Sequence, residues 1–239
     1  MRLSAPIFRL KREARLLARQ TAIPLHAALD RIAAREGYTR WSHLAARLSA
    51  REPAEKLLDM LKPGAMVLIA ARPNQGKTML GLGLVAEAAR AGRFTAVFTL
   101  DWTEKQVLAG LAEAGAPSPS PRLLIDTSDA IAASHISARL EGMPRGTVAM
   151  IDYLQLLDQA RTTPPLADQI AALKGFAERS GVILVLLSQI DRRFDRRDTV
   201  GAPVLPGPGD IRLPNPADLS LFDRMVFLDG GEIQITRPI

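Results

Sequence analysis

The run Ala71-Arg72-Pro73-Asn74-Gln75-Gly76-Lys77-Thr78 contains the residue types that a polyphosphate needs. Gly76 lets the backbone approach an anion closely, Lys77 offers an ammonium to the β- and γ-phosphates, and the Thr78 hydroxyl is a ligand for Mg²⁺. Successive N–H groups curl around the phosphates, and the start of a helix adds partial positive charge. A lone Gly-Lys-Thr is weak evidence. Here it follows the apolar stretch Met66–Ala70 and opens a helical pattern at Lys77, the setting such a loop requires. Residues Ala71 to Met79 are the expected nucleotide-binding stretch, with ATP and Mg²⁺ as the expected ligands. The pattern usually opens on Gly, where this chain has Ala71; a positive φ there would carry a steric cost.

Two acids follow at strand ends. Asp152 closes the apolar run from Gly146, and an Asp at the carboxyl end of a parallel strand faces the crevice where α/β sheets bind ligands. It is expected to hold Mg²⁺ through water, the alternative being a plain turn former. Asp101 closes the strand pattern Thr95–Leu100 and could polarise the water that attacks a γ-phosphate, with one methylene less reach than Glu. Its alternative role is N-cap of the helix that follows. Further on, Arg192, Arg193, Arg196 and Arg197 fall within six residues. They make a natural contact for a nucleic-acid backbone, with Phe194 as the stacking platform at hand. Interleaved Asp191, Asp195 and Asp198 leave a self-paired loop open, and one Arg could instead serve a neighbouring subunit's nucleotide.

The elements that must position these residues are apolar strands alternating with amphipathic helices. Strands are expected at Met66–Ala70, Thr95–Leu100, Leu123–Ile125, Val148–Ile151, Val182–Leu187 and Met225–Leu228. Helices are expected at Lys77–Ala91, Glu104–Gly115, near Ala130–Leu140 and at Leu166–Arg179. The pattern predicts an α/β fold, a mostly parallel sheet covered by helices on both faces. Asp191–Pro216, rich in Arg, Pro, Gly and Asp, reads as one long loop. Ahead of this domain (residues 56–239) lies a basic helical unit (residues 1–55). Its apolar spacing runs through Ile7, Leu10, Ala14 and Leu17, then Leu25, Ala28, Leu29, Ile32 and Ala33. Pro24 fits a first helical turn and Gly37 a helix end, and a third short helix is expected from Trp41 to about Leu48. Trp41 and Trp102 read as core or cap residues, and Met79 as core besides its place beside the loop.

The chain of 239 residues has no Cys and three His, which leaves out a disulfide framework and makes a zinc site improbable. No signal-type segment opens it, and Val182–Leu187 is too short to span a bilayer, so a cytoplasmic location is expected. The net charge of +6 is uneven: residues 1–51 hold eleven Lys and Arg against three Asp and Glu, the rest twenty against twenty-two. Such a basic head suits a phosphate-rich partner, or is an Arg-rich solvated surface.

Five blocks in order, from about Gly64 to Ile235, resemble the ATPase domain of bacterial replicative DnaB-type hexameric helicases, within the RecA-like P-loop group. They are the loop ending Gly76-Lys77-Thr78; Phe98-Thr99-Leu100-Asp101-Trp102; Ile151-Asp152-Tyr153-Leu154-Gln155-Leu156, the sharpest; Leu187-Ser188-Gln189-Ile190-Asp191-Arg192; and Asp210-Ile211-Arg212 with Asp218 and the last strand. The resemblance implies a RecA-like fold and puts Asp101 on the family's catalytic Glu. It makes Gln189 a sensor of the γ-phosphate that signals to a DNA-contacting loop, and places that loop at the channel of a homo-oligomeric ring around single-stranded DNA. A small basic unit stands where the family has a large helical N-terminal domain, and Arg237 is the nearest candidate for the family's C-terminal Lys-x-Arg element. The expected function is therefore ATP hydrolysis by a DNA helicase or single-stranded-DNA motor. A regulatory ATPase that switches a protein partner is the alternative, and a scaffold that binds nucleotide without turnover is a third.

Overall fold

The computed structural model describes residues 4, 7–117, 121–129, 131–152, 154, 164–191, 193–194, 205–213 and 215–238, with only the backbone at 7, 8 and 46–52. The chain divides into two compact units, Met1–Glu52 and Pro53–Ile239.

The first unit contains α1 (Ile7–Thr21), α2 (Leu25–Arg35) and the start of α3 (Trp41–Asp59). Leu10, Ala14, Ala28 and Ile32 are buried together, with Leu17, Leu29 and Trp41 against them. Pro24 stands one residue before the expected place, as the N-cap of α2. There its fixed φ costs nothing and no helical N–H is lost. Gly37, at φ 85, follows the end of α2 as the helical pattern implies. The third helix is longer than expected and continues through Pro53 to Asp59. Burial of Ala54, Leu57 and Leu58 in the second unit's core outweighs the local preference of Pro to end a helix.

The second unit is built on a seven-stranded sheet. Its elements are β1 (Met66–Ala71), α4 (Lys77–Arg90), β2 (Thr95–Thr99), α5 (Glu104–Glu113), β3 (Leu123–Asp126), α6 (Ala133–Leu140), β4 (Val148–Asp152), α7 (Leu166–Ser180), β5 (Ile183–Gln189), β6 (Arg224–Asp229) and β7 (Glu232–Thr236). The strands lie in the order β3-β2-β4-β5-β1-β6-β7. All pairs are parallel except β6 with β7. Both faces are apolar, as strands covered on both sides must be. Val67, Ile69, Val97, Val148, Met150, Val185 and Leu187 face one layer with α4 and α5. Met66, Leu68, Phe98, Ile151, Leu184 and Leu186 face the other with α6 and α7. At the start of β1 the Asp223 N–H donates to the Met66 carbonyl at 2.7 Å, and Met66 N–H donates to the Asp223 carboxylate at 2.8 Å.

Two parts of the fold depart from the expected elements. β7 pairs antiparallel with β6 through the two-residue turn Gly230-Gly231, both at positive φ, the conformation a tight hairpin favours. Its alternation of polar and half-buried residues is too weak to read beforehand. The described part of the segment 191–216 is also more than a loop. Ile190 pairs with Ile211 in an antiparallel bridge after the short 3₁₀ turn Pro208–Asp210, so the chain returns alongside the end of β5. Among the described residues no helix is long and apolar enough to cross a membrane.

Candidate nucleotide-binding site

The carboxyl ends of β1, β2, β4 and β5 surround a cavity of about 440 Å³ lined by Pro73, Asn74, Gly76, Lys77, Thr78, Met79, Asp101, Trp102, Asp152 and Gln189. Residues from four separate stretches of sequence are thus brought together by one sheet.

The loop after β1 carries its conformational demands at positions other than the expected one. Ala71 is the last residue of β1, so no left-handed conformation falls on it. Positive φ falls instead on Asn74, at 62, and Gly76, at 88. Asn is among the few side-chain-bearing residues found there, and Gly meets the demand without a Cβ penalty. Gly76 is also the N-cap of α4, so Lys77 and Thr78 open the helix at the cavity. The side chains of Arg72 and Gln75 turn away from it. Arg72 donates to Asp229 at 3.0 Å through Nε and 2.6 Å through Nη2, and lies 5.9 Å over the Phe194 ring. The Gln75 side-chain oxygen accepts from Gly230 N–H at 3.0 Å.

Asp152 is 2% exposed, and Thr78 Oγ1 donates to its Oδ2 at 3.2 Å. Its other oxygen, Oδ1, is buried and has no hydrogen-bond partner among the described residues. Burial pushes this carboxyl above its ordinary 3.8; the charge of Lys77 and the Thr78 hydrogen bond pull against that, and Asp101 adds to it. A desolvated carboxylate with an unused oxygen, beside a hydroxyl and near an ammonium, fits a hard divalent cation. Thr78 and Asp152 are the residues that would hold it.

Asp101 is exposed at the cavity and does not cap a helix. The alternative weighed for it is overturned, because Thr103 is the N-cap of α5. Thr103 forms a reciprocal box with Gln106, at 2.8 Å from Thr103 N–H to the Gln106 side chain and 3.4 Å in return. Gln189 ends β5 on the same face. Its carbonyl accepts from Arg212 N–H at 2.8 Å, and its side-chain oxygen lies 3.5 Å from an Arg212 guanidinium nitrogen. The Gln189 side chain therefore touches both the cavity and the returning segment.

Of the four clustered Arg, Arg193 is exposed and its N–H donates to Asp191 at 2.8 Å. Arg192, Arg196 and Arg197 lie outside the described residues, as do Tyr153, Gln155 and Leu156 of the sharpest block. Phe194 is no exposed platform: it is 9% exposed and packs in the main core. Trp102, expected as a core or cap residue, packs against the core and also lines the cavity, over Gly110, where a Cβ would come within 2.8 Å of its ring.

No family model matches the chain. It is 26% identical over 202 residues to the replicative DNA helicase DnaB of Pasteurella multocida (strain Pm70), covering 68% of this chain and 42% of that protein. To the DnaB of Helicobacter pylori (strain ATCC 700392 / 26695) it is 29% identical over 196 residues, covering 66% and 39%. The chain thus spans about two fifths of the length of these curated relatives. Among solved structures it superposes on an isolated ATPase domain with TM-score 0.54 at 20% identity, covering 70% of this chain and 69% of that one. It superposes on a DnaB-like replicative helicase, described with its interactions with primase, with TM-score 0.54 at 20% identity, covering 69% and 47%. In its sequence the chain resembles the ATPase domain of DnaB-type replicative helicases, and its fold is that of the RecA-like P-loop ATPases.

Proposed function

We propose that this chain binds ATP with Mg²⁺ and hydrolyses it, as an oligomeric helicase or motor on single-stranded DNA. The observation that carries the proposal is the 3.2 Å contact from Thr78 to a buried Asp152 at the base of a cavity that also holds Lys77 and Asp101. In this reading the N–H groups of the loop from Ala71 to Thr78 and the start of α4 bind the phosphates, and Lys77 neutralises the β- and γ-oxygens. Thr78 and Asp152 hold the cation, which when bound offsets charge on the transferred phosphoryl group. Asp101 accepts the proton of the attacking water. Gln189 senses the γ-phosphate and passes its presence through Arg212 to the segment that contains Arg192, Arg193, Arg196 and Arg197. That segment contacts the DNA backbone, within a ring of copies whose neighbour completes the site. The resemblance to DnaB-type helicases supports the motor and the ring, and the basic residues of the first unit suit the same nucleic acid.

ATP hydrolysis by the purified chain, with and without single-stranded DNA and beside Lys77→Ala, tests this. Turnover raised by DNA and lost in the variant is expected. Turnover indifferent to DNA would overturn the motor and leave a regulatory ATPase. No binding of ATP with Mg²⁺ would overturn the site.

A further inference from the structure

We infer that the Thr99 hydroxyl is a further positioning residue of this site, holding a water ligand of the divalent cation beside Asp152. The inference rests on the reading of the cavity as an ATP·Mg²⁺ site and adds a residue to it.

Thr99 is the last residue of β2 and pairs in register with Asp152, the last residue of β4. Register partners on neighbouring parallel strands leave the sheet on the same side, with strands ~4.8 Å apart. That side is shared with Val97, Val148 and Met150, which face α4 and α5. Thr99 is 1% exposed, and its hydroxyl has no hydrogen-bond partner among the described residues. The same holds for Asp152 Oδ1. Other buried threonines are satisfied: Thr95 donates to the Arg122 carbonyl at 3.4 Å and Thr147 to the Pro144 carbonyl at 2.7 Å.

Two orphaned oxygens on adjacent strands thus face one side of the sheet, Asp152 lining the cavity and Thr99 behind it as its register partner. They do not bond each other, and leaving both unmet is costly. A bound water resolves this, because a water whose lone pair ligates a cation donates both its protons. Thr99 Oγ1 and Asp152 Oδ1, on register partners, are two free acceptors that would take those protons, while Thr78 donates to the opposite carboxylate oxygen. Mg²⁺ suits such an arrangement, since it sheds its waters reluctantly and is usually held through several of them.

The test is equilibrium binding of a fluorescent ribose-labelled ATP to the full chain, titrated with Mg²⁺ and repeated in EDTA, for wild type, Thr99→Val and Thr99→Ser. Thr99→Val is expected to need about 10- to 100-fold more Mg²⁺ for tight binding, the usual cost of losing an outer partner of a metal site. Its affinity in EDTA should match wild type, and Thr99→Ser should restore the Mg²⁺ response. Melting without nucleotide should show Thr99→Val at least as stable as wild type, because Val removes an unmet hydroxyl at similar volume. An unchanged Mg²⁺ response in Thr99→Val, an equal loss of affinity in EDTA, or a lowered melting temperature would each overturn the inference. Absence of Mg²⁺-dependent binding in wild type would instead overturn the ATP·Mg²⁺ reading itself.

Discussion

Arg72 donates through Nε and Nη2 to one oxygen of Asp229, at 3.0 and 2.6 Å, and so fastens the loop after β1 to the turn between β6 and β7. Gln75 makes a second tie to that turn at Gly230. The two attachments hold the loop from behind while its cavity side stays open to a ligand. Arg72→Ala and Asp229→Ala should each weaken nucleotide binding without touching the cavity lining. Their combination should lose less than the sum, with a coupling of about 1 kcal/mol for this partly buried pair, read by a double-mutant cycle in chemical denaturation.

Asp152→Asn tests the electrostatics at the cavity floor. Burial holds the native carboxyl above its ordinary 3.8, so the native state binds its proton more tightly than the unfolded chain. Its contribution to stability is present below 3.8 and is lost as pH rises through the raised native value. Without nucleotide, wild type should lose stability over that window relative to Asp152→Asn, whose amide does not titrate. The variant should be the more stable at neutral pH yet fail to bind ATP in a Mg²⁺-dependent way. Melting curves against pH would show it, and a wild type that gains stability over this window relative to the variant would contradict it.

Asp101 and Thr103 lie two residues apart and should separate cleanly. Thr103→Ala removes the cap of α5 and should cost about 1 kcal/mol of stability, with hydrolysis per folded molecule nearly unchanged. Asp101→Asn should leave stability alone and lower turnover by about 10²- to 10⁴-fold. Steady-state hydrolysis beside urea denaturation distinguishes the two.

Gly76→Ala probes backbone conformation. Among the described residues, nothing beyond its own chain neighbours lies within 4 Å of where a Cβ would sit, so the cost comes from φ 88. A loss of about 1–2 kcal/mol in stability is expected, with ATP binding impaired more than the melting temperature suggests.

At low pH the end of β3 should be a weak point. Burial opposes ionisation of Asp126, but hydrogen bonds from Ser128, His135 and Arg139 outweigh it and hold its carboxyl at about 2. That stability is present above 3.8 and is lost as pH falls toward 2. Asp126→Asn should lower the melting temperature at neutral pH and flatten its decline in acid.

The parallel sheet and the loop after β1 were legible in the sequence because continuous apolar runs and a Gly-Lys-Thr at a strand end leave few alternatives. The reach of α3 past Pro53 was not, since burial of Leu57 and Leu58 overrode a local stop signal. Thr99 was hidden by its strand: a polar residue ending an apolar run looks like a boundary, and only pairing with Asp152 reveals its neighbour. Phe194 looked exposed because Arg and Asp surround it, yet its ring is packed in the core beneath Arg72. Asp101 was ambiguous because Thr103 and Gln106 carry the capping pattern two positions later.

Because both faces of the sheet are apolar, hydrophobicity alone is a poor guard of the strands' reading frame. A one-residue slip of β5 against β1 would still bury aliphatic side chains, but it would put Ser188 where Gln189 belongs. Polar contacts at the strand ends tie each strand to its own flanking segment: Asp223 holds the approach to β6 on Met66 of β1, and Arg212 holds the returning segment on Gln189 of β5. A single-residue insertion in β5 should therefore keep aliphatic burial while turning Gln189 away from the cavity that it lines.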